Sequence, residues 1–409
     1  MKGNILCLKK DFLLIVAFIL FGLIPLTSFR LESIFTFIFF LILMFHAIIN
    51  RKKKGLKNKW LFVLNASLFF VLLISLIDGV NVLTYKKLEQ MASLLIFPIF
   101  FYFLSKEGSD KNKELFKLWK SVFVISTFIL TLICFYLISQ YSNPRYPNLD
   151  SNFFKNAIIH SQYFSRHPAY ISIYLNISIL ISLDRIIRTE NKIISSLMLA
   201  TFLLLLFLFS VKMAIIALFL SIIIFLFFTL NLKLFFKRAS FLLIPIILFI
   251  AFAPPKFNRF SNLFKTEVFN QNTQYNSIFI HKQTIISAIK IFKDNLLFGV
   301  GIEKSNMLVN NSVREVFKHN PNVVYNSHNQ YLSYGLHAGL LGLIVLCLVI
   351  YFALRNSFSS DRVMFAILLY FSIIFLTENV LERQSGLILF AFLINIVPNL
   401  RTEKTYIRN

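Results

Sequence analysis

The chain has 409 residues, of which 57% are hydrophobic and 15% are charged, with a formal net charge of +24. Soluble domains carry about 25% charged residues, and none could bury the apolar runs of about 18 or more residues that recur here. The composition therefore excludes a soluble globular protein and predicts an all-α polytopic membrane protein. Lysine and arginine accumulate in the cytoplasmic loops of such proteins, so the positive charge does not indicate a nucleic-acid partner.

Apolar segments of the length that a bilayer core requires occur about twelve times along the chain. In chain order the predicted spans are 12–29, 31–49, 60–77, 88–104, 119–140, 168–183, 193–210, 213–230, 239–254, 330–354, 363–377 and 386–399. The first follows several lysines, as in a signal peptide, but Arg30 and Glu32 come after it without a small-residue cleavage site. We therefore expect it to remain as a membrane span.

The loops between the predicted spans alternate in charge. Segments rich in lysine and arginine lie at 50–59, 105–118 and 231–238, whereas the short loops between them hold few cations. With twelve spans, the positive-inside rule places both termini in the cytoplasm. Because no internal repeat or low-complexity tract divides the chain, residues 1–409 are predicted to form a single membrane domain.

Two of the predicted outside loops, 141–167 and 255–329, are long, and long loops usually have a role. The second carries many cations, which are candidates for binding an anion because long loops escape the positive-inside rule. Within it, Ile278–Lys293 has apolar side chains at helical spacing, which predicts an amphipathic helix. This helix lies either on the outer membrane surface or against its own loop, and the sequence leaves both placements open.

The richest polar stretch beside a predicted span is Asn326–Leu332. It is predicted to enter the tenth span, with His328 in the first turn of that helix. A helix N-terminus disfavours a charged imidazole, and a histidine that is neutral near pH 7 is suited to act as a general base. The residues alone equally allow His328 to cap the helix or to contact lipid headgroups. The glycines at 335, 339 and 342 are expected to permit close helix packing.

Three other polar residues adjoin predicted spans. Lys212 lies in the short hairpin between the seventh and eighth spans, where it either snorkels to headgroups or contacts a bound anion. Arg166 and His167 precede the sixth span and face the outer surface at the same depth. They serve either as interface anchors or as parts of a site.

A polar loop near the C-terminus contains Glu378, Glu382 and Arg383. A structural ion-pair cluster is the simpler interpretation of these residues, and both carboxylates are alternatives to His328 as a general base. The three cysteines lack the spacing of a metal site or of a disulfide framework, and no metal-binding or nucleotide-binding motif occurs. We therefore predict no metal and no cofactor.

The order of these parts resembles the O-antigen ligase and O-antigen polymerase superfamily of bacterial envelopes. The features that carry the resemblance are the hairpin Ser210–Lys212, a long loop with a surface helix, the glycine turn Asn295–Gly301, and the entry His328–Leu332 followed by Gly339 and Gly342. Together they cover roughly residues 165–395. The His-Asn motif that follows the glycine turn is the most specific of them.

The resemblance implies a glycosyltransferase of the GT-C type in the bacterial inner membrane, with its active face in the periplasm and a periplasmic cap formed mainly by 255–329. The implied donor is a glycan on undecaprenyl pyrophosphate. Ligases of the superfamily transfer this glycan to lipid A–core, and polymerases transfer it to a growing glycan. The resemblance also implies a metal-independent, inverting reaction in which the motif histidine, here His328, is the general base.

The resemblance further implies cations that bind the donor pyrophosphate. Lys212 stands where the family usually has arginine, and His281 and Lys282 stand near the place of a second family arginine. Because lysine lacks the bidentate fork of arginine, Arg259 and Arg314 of the long loop are further candidates. Additional candidates for the site are Arg166, His167, Asn329 and Glu378.

Two other functions are compatible with the sequence. A polymerase of O-antigen or exopolysaccharide shares the fold and the motif of a ligase, and nothing in the sequence separates the two. A flippase or transporter of lipid-linked glycans would perform no catalysis, but transporters usually place ionisable groups at the midplane. Here the ionisable residues gather at the predicted outer mouth, which favours chemistry at the membrane surface.

Overall fold

The computed structural model describes residues 2–49, 59–76, 82–142, 150–161, 167–238, 240, 277–317 and 325–400. These residues form α-helices and short 3₁₀ turns, with no strand among them. The helices are α1 (Lys2–Gly22), α2 (Phe29–Ile49), α3 (Lys59–Phe70), α4 (Val82–Met91), α5 (Ser93–Leu104), α6 (Ser109–Gln140), α7 (Ser151–Ile159), α8 (Pro168–Ile187), α9 (Lys192–Phe209), α10 (Lys212–Thr229), α11 (Ser277–Asp294), α12 (Gly301–Phe317), α13 (Gln330–Ser360), α14 (Arg362–Ile374) and α15 (Gln384–Leu400). The 3₁₀ turns are Ile24–Leu26, Val71–Leu76, Ser105–Glu107 and Val380–Glu382.

Eight segments of the described helices are long and apolar enough to cross a membrane, and three shorter apolar helices, Phe12–Gly22, Arg362–Ile374 and Gln384–Leu400, accompany them. Each of these segments overlaps a different predicted span. The predicted ninth span, 239–254, and the first part of the long loop after it lie outside the described residues. The prediction of an all-α polytopic membrane protein is confirmed.

Helix α15 lies inside the bundle, and its residues from Ser385 to Leu400 are all buried. The ring of Phe392 on this helix contacts the rings of Phe21 and Trp119 at centroid distances of 4.4 and 4.9 Å. A helix that is apolar all round has to be buried, which explains why the C-terminal span packs in the interior. Many exposed apolar side chains belong to outer helices such as α2, where Phe37 is 62% exposed.

Helices α11 and α12 pack against each other and against the start of α13, and we call this pair the cap. Their common core contains Ala288 of α11, Val309 and Val313 of α12, and Leu336 of α13. The amphipathic helix predicted over 278–293 is therefore present as α11. Helix α11 packs against α12 and the adjoining span, and its placement at the outer membrane surface stays a prediction.

The sequence analysis did not predict helix α12. Its asparagines and serines have modest helix propensity, so the sequence of this segment predicts an irregular loop. Ile302, Val309 and Val313 nevertheless recur at helical spacing and are buried, which was the available signal. The packing of this apolar face in the cap core stabilises the helix where intrinsic propensity does not.

Helix α13 is broken in its middle, where Ala338 and Gly339 have non-helical backbone angles. In an unbroken α-helix the N–H of Leu340 would donate to the carbonyl oxygen of Leu336. Here the Leu340 N–H donates to the Leu296 oxygen and the Leu336 oxygen accepts from the Val300 N–H, both at 2.7 Å. The glycine turn between α11 and α12 thus satisfies both backbone groups that the break releases.

Glycine is required on both sides of this contact. Gly299 and Gly339 have φ angles of +72° and +65°, which side chains with a Cβ rarely adopt. A Cβ on Gly299 would collide with the Leu336 carbonyl oxygen, and one on Gly339 would collide with the Leu297 carbonyl group. The glycines of this span were expected to permit close packing of helices. At Gly339 the element that packs closely is a loop and not another membrane helix.

Candidate active site

The loop that leads into α13 turns sharply at His328, whose φ angle is +46°. Its N–H donates to Oδ1 of Asn326 at 3.0 Å. The next residue, Asn329, is the N-cap of α13, and its Oδ1 accepts from the Leu332 N–H at 3.0 Å. The expectation that His328 lies in the first helical turn is therefore wrong, because asparagine is a preferred N-cap and the helix begins only at Gln330. His328 is therefore not the N-cap residue of α13 either.

The imidazole of His328 lies between the cap and the loop that follows α14. Its Nδ1 is 3.9 Å from Oε2 of Glu378, and the two side chains are 27% and 36% exposed. Its ring centroid is 4.2 Å from that of His281 on α11. Within the described structure, the Nδ1 atom is buried and makes no hydrogen bond to protein. Three separate segments of the chain thus converge on one histidine.

Glu378 is the common electrostatic neighbour of the histidines at this site. Burial, followed by the adjacent His328, lowers the pKa of His281 to about 4, against an opposing effect of Glu378. Burial also lowers the pKa of His167, which Glu378 raises and which Lys155 and Arg383 lower. Because its pKa is so low, His281 is neutral near pH 7.

His167 also has a structural role at the start of α8. Its Nδ1 accepts a hydrogen bond from the Ala169 N–H at 3.3 Å, and Pro168 occupies the first helical position, where proline is favoured. The hydrogen bond orients the imidazole, which also interacts electrostatically with Glu378. The anchoring role at the membrane interface and the place in the site both stay predictions.

A buried hydrogen-bond network fixes the two segments that carry His328 and Glu378. The Glu382 Oε1 atom accepts from the Ser333 hydroxyl at 2.6 Å and from the Asn379 amide at 3.0 Å. The same amide donates to the Ser327 hydroxyl oxygen at 3.2 Å. Since Ser327 precedes His328 and Asn379 follows Glu378, the network sets the distance between the histidine and the carboxylate.

Further bonds tie the start of α13 to the end of α14. The Asn329 amide donates to the Leu376 carbonyl oxygen at 3.1 Å, and the Gln330 N–H donates to the Phe375 oxygen at 2.7 Å. The Gln330 Oε1 atom accepts from the Leu381 N–H at 2.7 Å. Asn329, which the sequence predicted as a site residue, therefore positions the loop of His328 in two ways. Its amide binds the loop after α14, and its side-chain oxygen forms the N-cap of α13.

The polar loop near the C-terminus is not the ion-pair cluster that the sequence suggested. Glu378 turns to His328, and Glu382 is buried with Ser333 as a partner. Arg383 instead interacts electrostatically with Tyr170 and with His167. Residues close together in sequence separate here because the 3₁₀ turn Val380–Glu382 directs them to different neighbours.

The hairpin of Lys212 borders a cavity that adjoins Glu378. Ser210 has a φ angle of +47° and its hydroxyl donates to the Phe207 carbonyl oxygen at 2.9 Å, which closes the turn before α10. The adjacent Val211 lines a narrow cavity whose wall also includes Glu378 and Tyr170. The hairpin that carries Lys212 and the carboxylate that faces His328 thus border the same cavity.

The remaining predicted cations have different positions. Lys282 is exposed on α11 beside His281, and Arg314 is half-buried on α12. Arg166 and Arg259 lie outside the described residues. Among the residues that the structure describes, no group of three or more His, Cys, Asp and Glu side chains is arranged to hold a metal ion.

Sequence reasoning missed two members of this region, Tyr170 and Arg383, as candidates for the site. Tyr170 lines the cavity with Glu378 and interacts electrostatically with Arg383, and Arg383 also interacts electrostatically with His167. The position of Arg383 in a predicted outside loop was the feature of the sequence that could have identified it as a candidate. Nothing in the sequence distinguishes Tyr170 from other tyrosines at the ends of spans.

Residues 197–347 match the family model described as O-Antigen ligase. These residues form an O-antigen ligase family domain. The resemblance noted from the sequence is thereby confirmed, since the match contains the Lys212 hairpin, the glycine turn and the His328 motif. A comparison with curated proteins gave no match. The O-antigen ligase match ends before Glu378 and begins after His167, so these two neighbours of the motif histidine lie outside it.

Proposed function

We propose that this protein is the enzyme that transfers a glycan from undecaprenyl pyrophosphate to lipid A–core. The family match supports membrane function of the O-antigen ligase and polymerase type. The observation that carries the catalytic part of the proposal is the placement of His328, whose buried, unpaired Nδ1 lies 3.9 Å from a carboxylate oxygen of Glu378. A histidine beside a carboxylate is a recurrent arrangement for a general base.

In the proposed reaction, an acceptor hydroxyl oxygen attacks the anomeric carbon of the donor sugar as the bond from that carbon to the pyrophosphate oxygen breaks. His328 takes the hydroxyl proton, and Glu378 stabilises the resulting imidazolium. The separation of 3.9 Å exceeds a hydrogen bond, as is common before substrate binds. His281 is neutral near pH 7 because its pKa is about 4, so it adds no competing positive charge. A single displacement of this kind inverts the anomeric configuration.

The leaving pyrophosphate carries charge that the protein has to stabilise. Lys212 is the best-supported cation, because its hairpin borders the cavity that Glu378 also lines. Lys282 follows His281 on the cap, and Arg259 and Arg314 are further candidates. Cations of this kind stabilise developing charge without a metal, and pyrophosphate departs without needing a proton.

The proposed location is the bacterial inner membrane, with both termini in the cytoplasm and the active face in the periplasm, in a GT-C-like bundle. The cap then belongs to the periplasmic loop 255–329. A cysteine at the exposed Asn311 of α12 should react with a membrane-impermeant thiol reagent in cells whose outer membrane alone is permeabilised. Labelling only after lysis of the inner membrane would contradict this topology.

The function is tested by deleting the gene and separating the surface glycans on a gel. A ligase predicts loss of all long chains from lipid A–core, with the polymerised glycan still made. A polymerase predicts single-repeat products on lipid A–core. Loss of ligation with the lipid-linked glycan retained on the cytoplasmic side would indicate a flippase and contradict the proposal, and so would unchanged ligation in the deletion strain.

A further inference from the structure

The glycine turn between α11 and α12 sits against the middle of a membrane helix. Its contact with α13 is made at Ala338 and Gly339 through the two backbone hydrogen bonds from Leu340 and Val300. Gly339 lies nine positions after Gln330, which at 1.5 Å per residue corresponds to about 14 Å along the helix. The turn therefore reaches well past the end of α13 that carries the active site.

The composition of α13 places this contact inside the hydrocarbon layer. The segment from Leu340 to Leu354 is apolar except for Cys347 and Tyr351, and Arg355 is the charge that ends it. A bilayer core is spanned by about 20 helical residues, so counting back from Arg355 puts the opposite boundary near Gly335. Gly339 then lies roughly 6 Å inside that boundary.

The side chains of the turn suit this environment. Leu296, Leu297 and Phe298 are 46%, 75% and 64% exposed, and they continue the apolar surface of Leu340 and Leu341 on α13, which are 45% and 51% exposed. Three adjacent large apolar side chains with such exposure are unfavourable in water. No charged residue occurs between Asn295 and Gly301.

Several polar groups of the turn are paired, as a low-dielectric surrounding requires. The Gly299 N–H donates to the Asn295 carbonyl oxygen at 3.0 Å, and the Asn295 N–H donates to the Phe292 oxygen at 3.1 Å. The Asn295 side-chain amide donates to the Ile291 oxygen at 2.9 Å. Irregular backbone is tolerated at membrane depth when it is bonded in this way.

Two lysines stand one turn above this apolar tip. Lys290 and Lys293 are exposed in the last turns of α11 at the level where lipid phosphates would lie, and there they outnumber the one exposed carboxylate, Asp294. An apolar tip below a basic rim is the pattern of segments that insert into the interface. We propose that the turn Asn295–Gly299 is a re-entrant anchor that inserts Leu296, Leu297 and Phe298 among the acyl chains of the outer leaflet.

This anchor has a structural consequence for the site. Helix α11 connects the turn to His281, whose ring contacts His328. The membrane therefore holds the cap at a set depth, and with it the contact between the two imidazoles. The position of the turn in the bilayer does not depend on whether the acceptor is lipid A–core or another glycan.

The test uses the full chain with Cys7, Cys134 and Cys347 replaced by serine, reconstituted in vesicles of phosphatidylethanolamine and phosphatidylglycerol. A nitroxide is attached to Leu297→Cys, and its collisions with oxygen and with a water-soluble nickel chelate are measured. The control is Asn311→Cys on α12, because the neighbouring Asn310 side chain accepts the Tyr325 N–H and so lies near the outer end of α13. We expect high oxygen and low nickel accessibility at 297, and the reverse at 311.

Nickel accessibility at 297 as high as at 311 would place the turn in water and overturn the anchor. Low accessibility to both reagents would also overturn it, since the turn would then be covered by protein such as a second copy of the chain. Should the Leu297→Cys protein fail to fold, the label at Phe298→Cys gives the same comparison.

Discussion

The Nδ1 atom of His328 lies 3.9 Å from Oε2 of Glu378, although one residue precedes α13 and the other follows α14. The buried bonds from Asn379 to Ser327 and to Glu382 hold these two segments together. The pair therefore exists because the ends of two membrane helices are tied, and each of its members can be tested separately.

Replacement of His328 tests the general base. His328→Ala should lower the rate of glycan transfer by about 10²–10⁴-fold, the usual contribution of general-base catalysis, without loss of folded protein. His328→Gln keeps hydrogen bonding but cannot accept the proton, so it should be nearly as inactive. The measurement is the initial rate of the purified enzyme with a lipid-linked donor.

The control for this experiment is His160→Ala, since His160 is exposed at the end of α7. His337 is a poorer control because it is buried and its Nε2 lies 3.4 Å from the Ser333 hydroxyl. A His328→Ala enzyme that works near the wild-type rate would leave His328 as an interfacial residue only.

Replacement of Glu378 tests the carboxylate partner. Glu378→Gln keeps the size of the side chain but removes its charge, and should lower kcat by roughly 10-fold to 100-fold, equivalent to about 1.4–2.8 kcal/mol. KM for the donor should change little, because the carboxylate acts on the imidazole and not on the pyrophosphate. Glu315→Gln on the exposed side of α12 is the matched control. Equal rates for the two variants would remove Glu378 from the mechanism.

Lys212 is expected to contact the donor pyrophosphate. Lys212→Gln should raise KM for the donor by about 10-fold or more, because a charge-assisted contact with phosphate is lost. Lys212→Arg should retain activity, since arginine supplies the same charge in a geometry that matches phosphate. Steady-state kinetics at varied donor concentration separate the two outcomes, and indistinguishable KM values for both variants would indicate that Lys212 only contacts headgroups.

The break in α13 depends on glycine at 339. Gly339→Ala should detach the cap, because a Cβ would collide with the Leu297 carbonyl group and because the positive φ costs about 1–2 kcal/mol in addition. Hydrogen exchange of α11 and α12 should increase while that of α15 stays unchanged. Gly108→Ala is the matched control, since Gly108 has a φ of +92° but no heavy atom near its added Cβ. Equal hydrogen exchange of α11 and α12 in both variants would mean that backbone strain, and not the collision with the Leu297 carbonyl group, explains the increase.

Acid should weaken the attachment of α11. The pKa of His281 is lowered from 6.5 to about 4 in the folded protein, so below pH 6.5 a detached α11 takes up a proton that the packed helix does not. The stability of the packed state therefore falls as the pH decreases from 6.5 towards 4. Hydrogen exchange of α11, corrected for the intrinsic rate, should rise over this interval in the wild type and not in His281→Asn. An unchanged profile in the wild type would contradict the neutral buried state.

The amino-acid sequence by itself determined the membrane helices. The hydrocarbon layer requires about 20 apolar residues and complete backbone bonding within each span, so local composition is sufficient to locate them. The same reasoning located α11, because one apolar face at helical spacing is also a local property. It failed for α12, where the cap core stabilises a segment of modest propensity, and it assigned His328 to the first turn of α13 because it overlooked Asn329 as the N-cap.

The tertiary structure alone decided which residues meet His328. The sequence singled out the histidine through its polar motif, yet it offered Glu378 only as one of several candidates and treated it as part of an ion-pair cluster. The contacts with His281 and Glu378 join segments that are far apart in the chain, and they depend on buried networks and on a helix break at Gly339. Such contacts leave no periodic pattern in the sequence, because they arise from packing between helices and not from the conformation of any one of them.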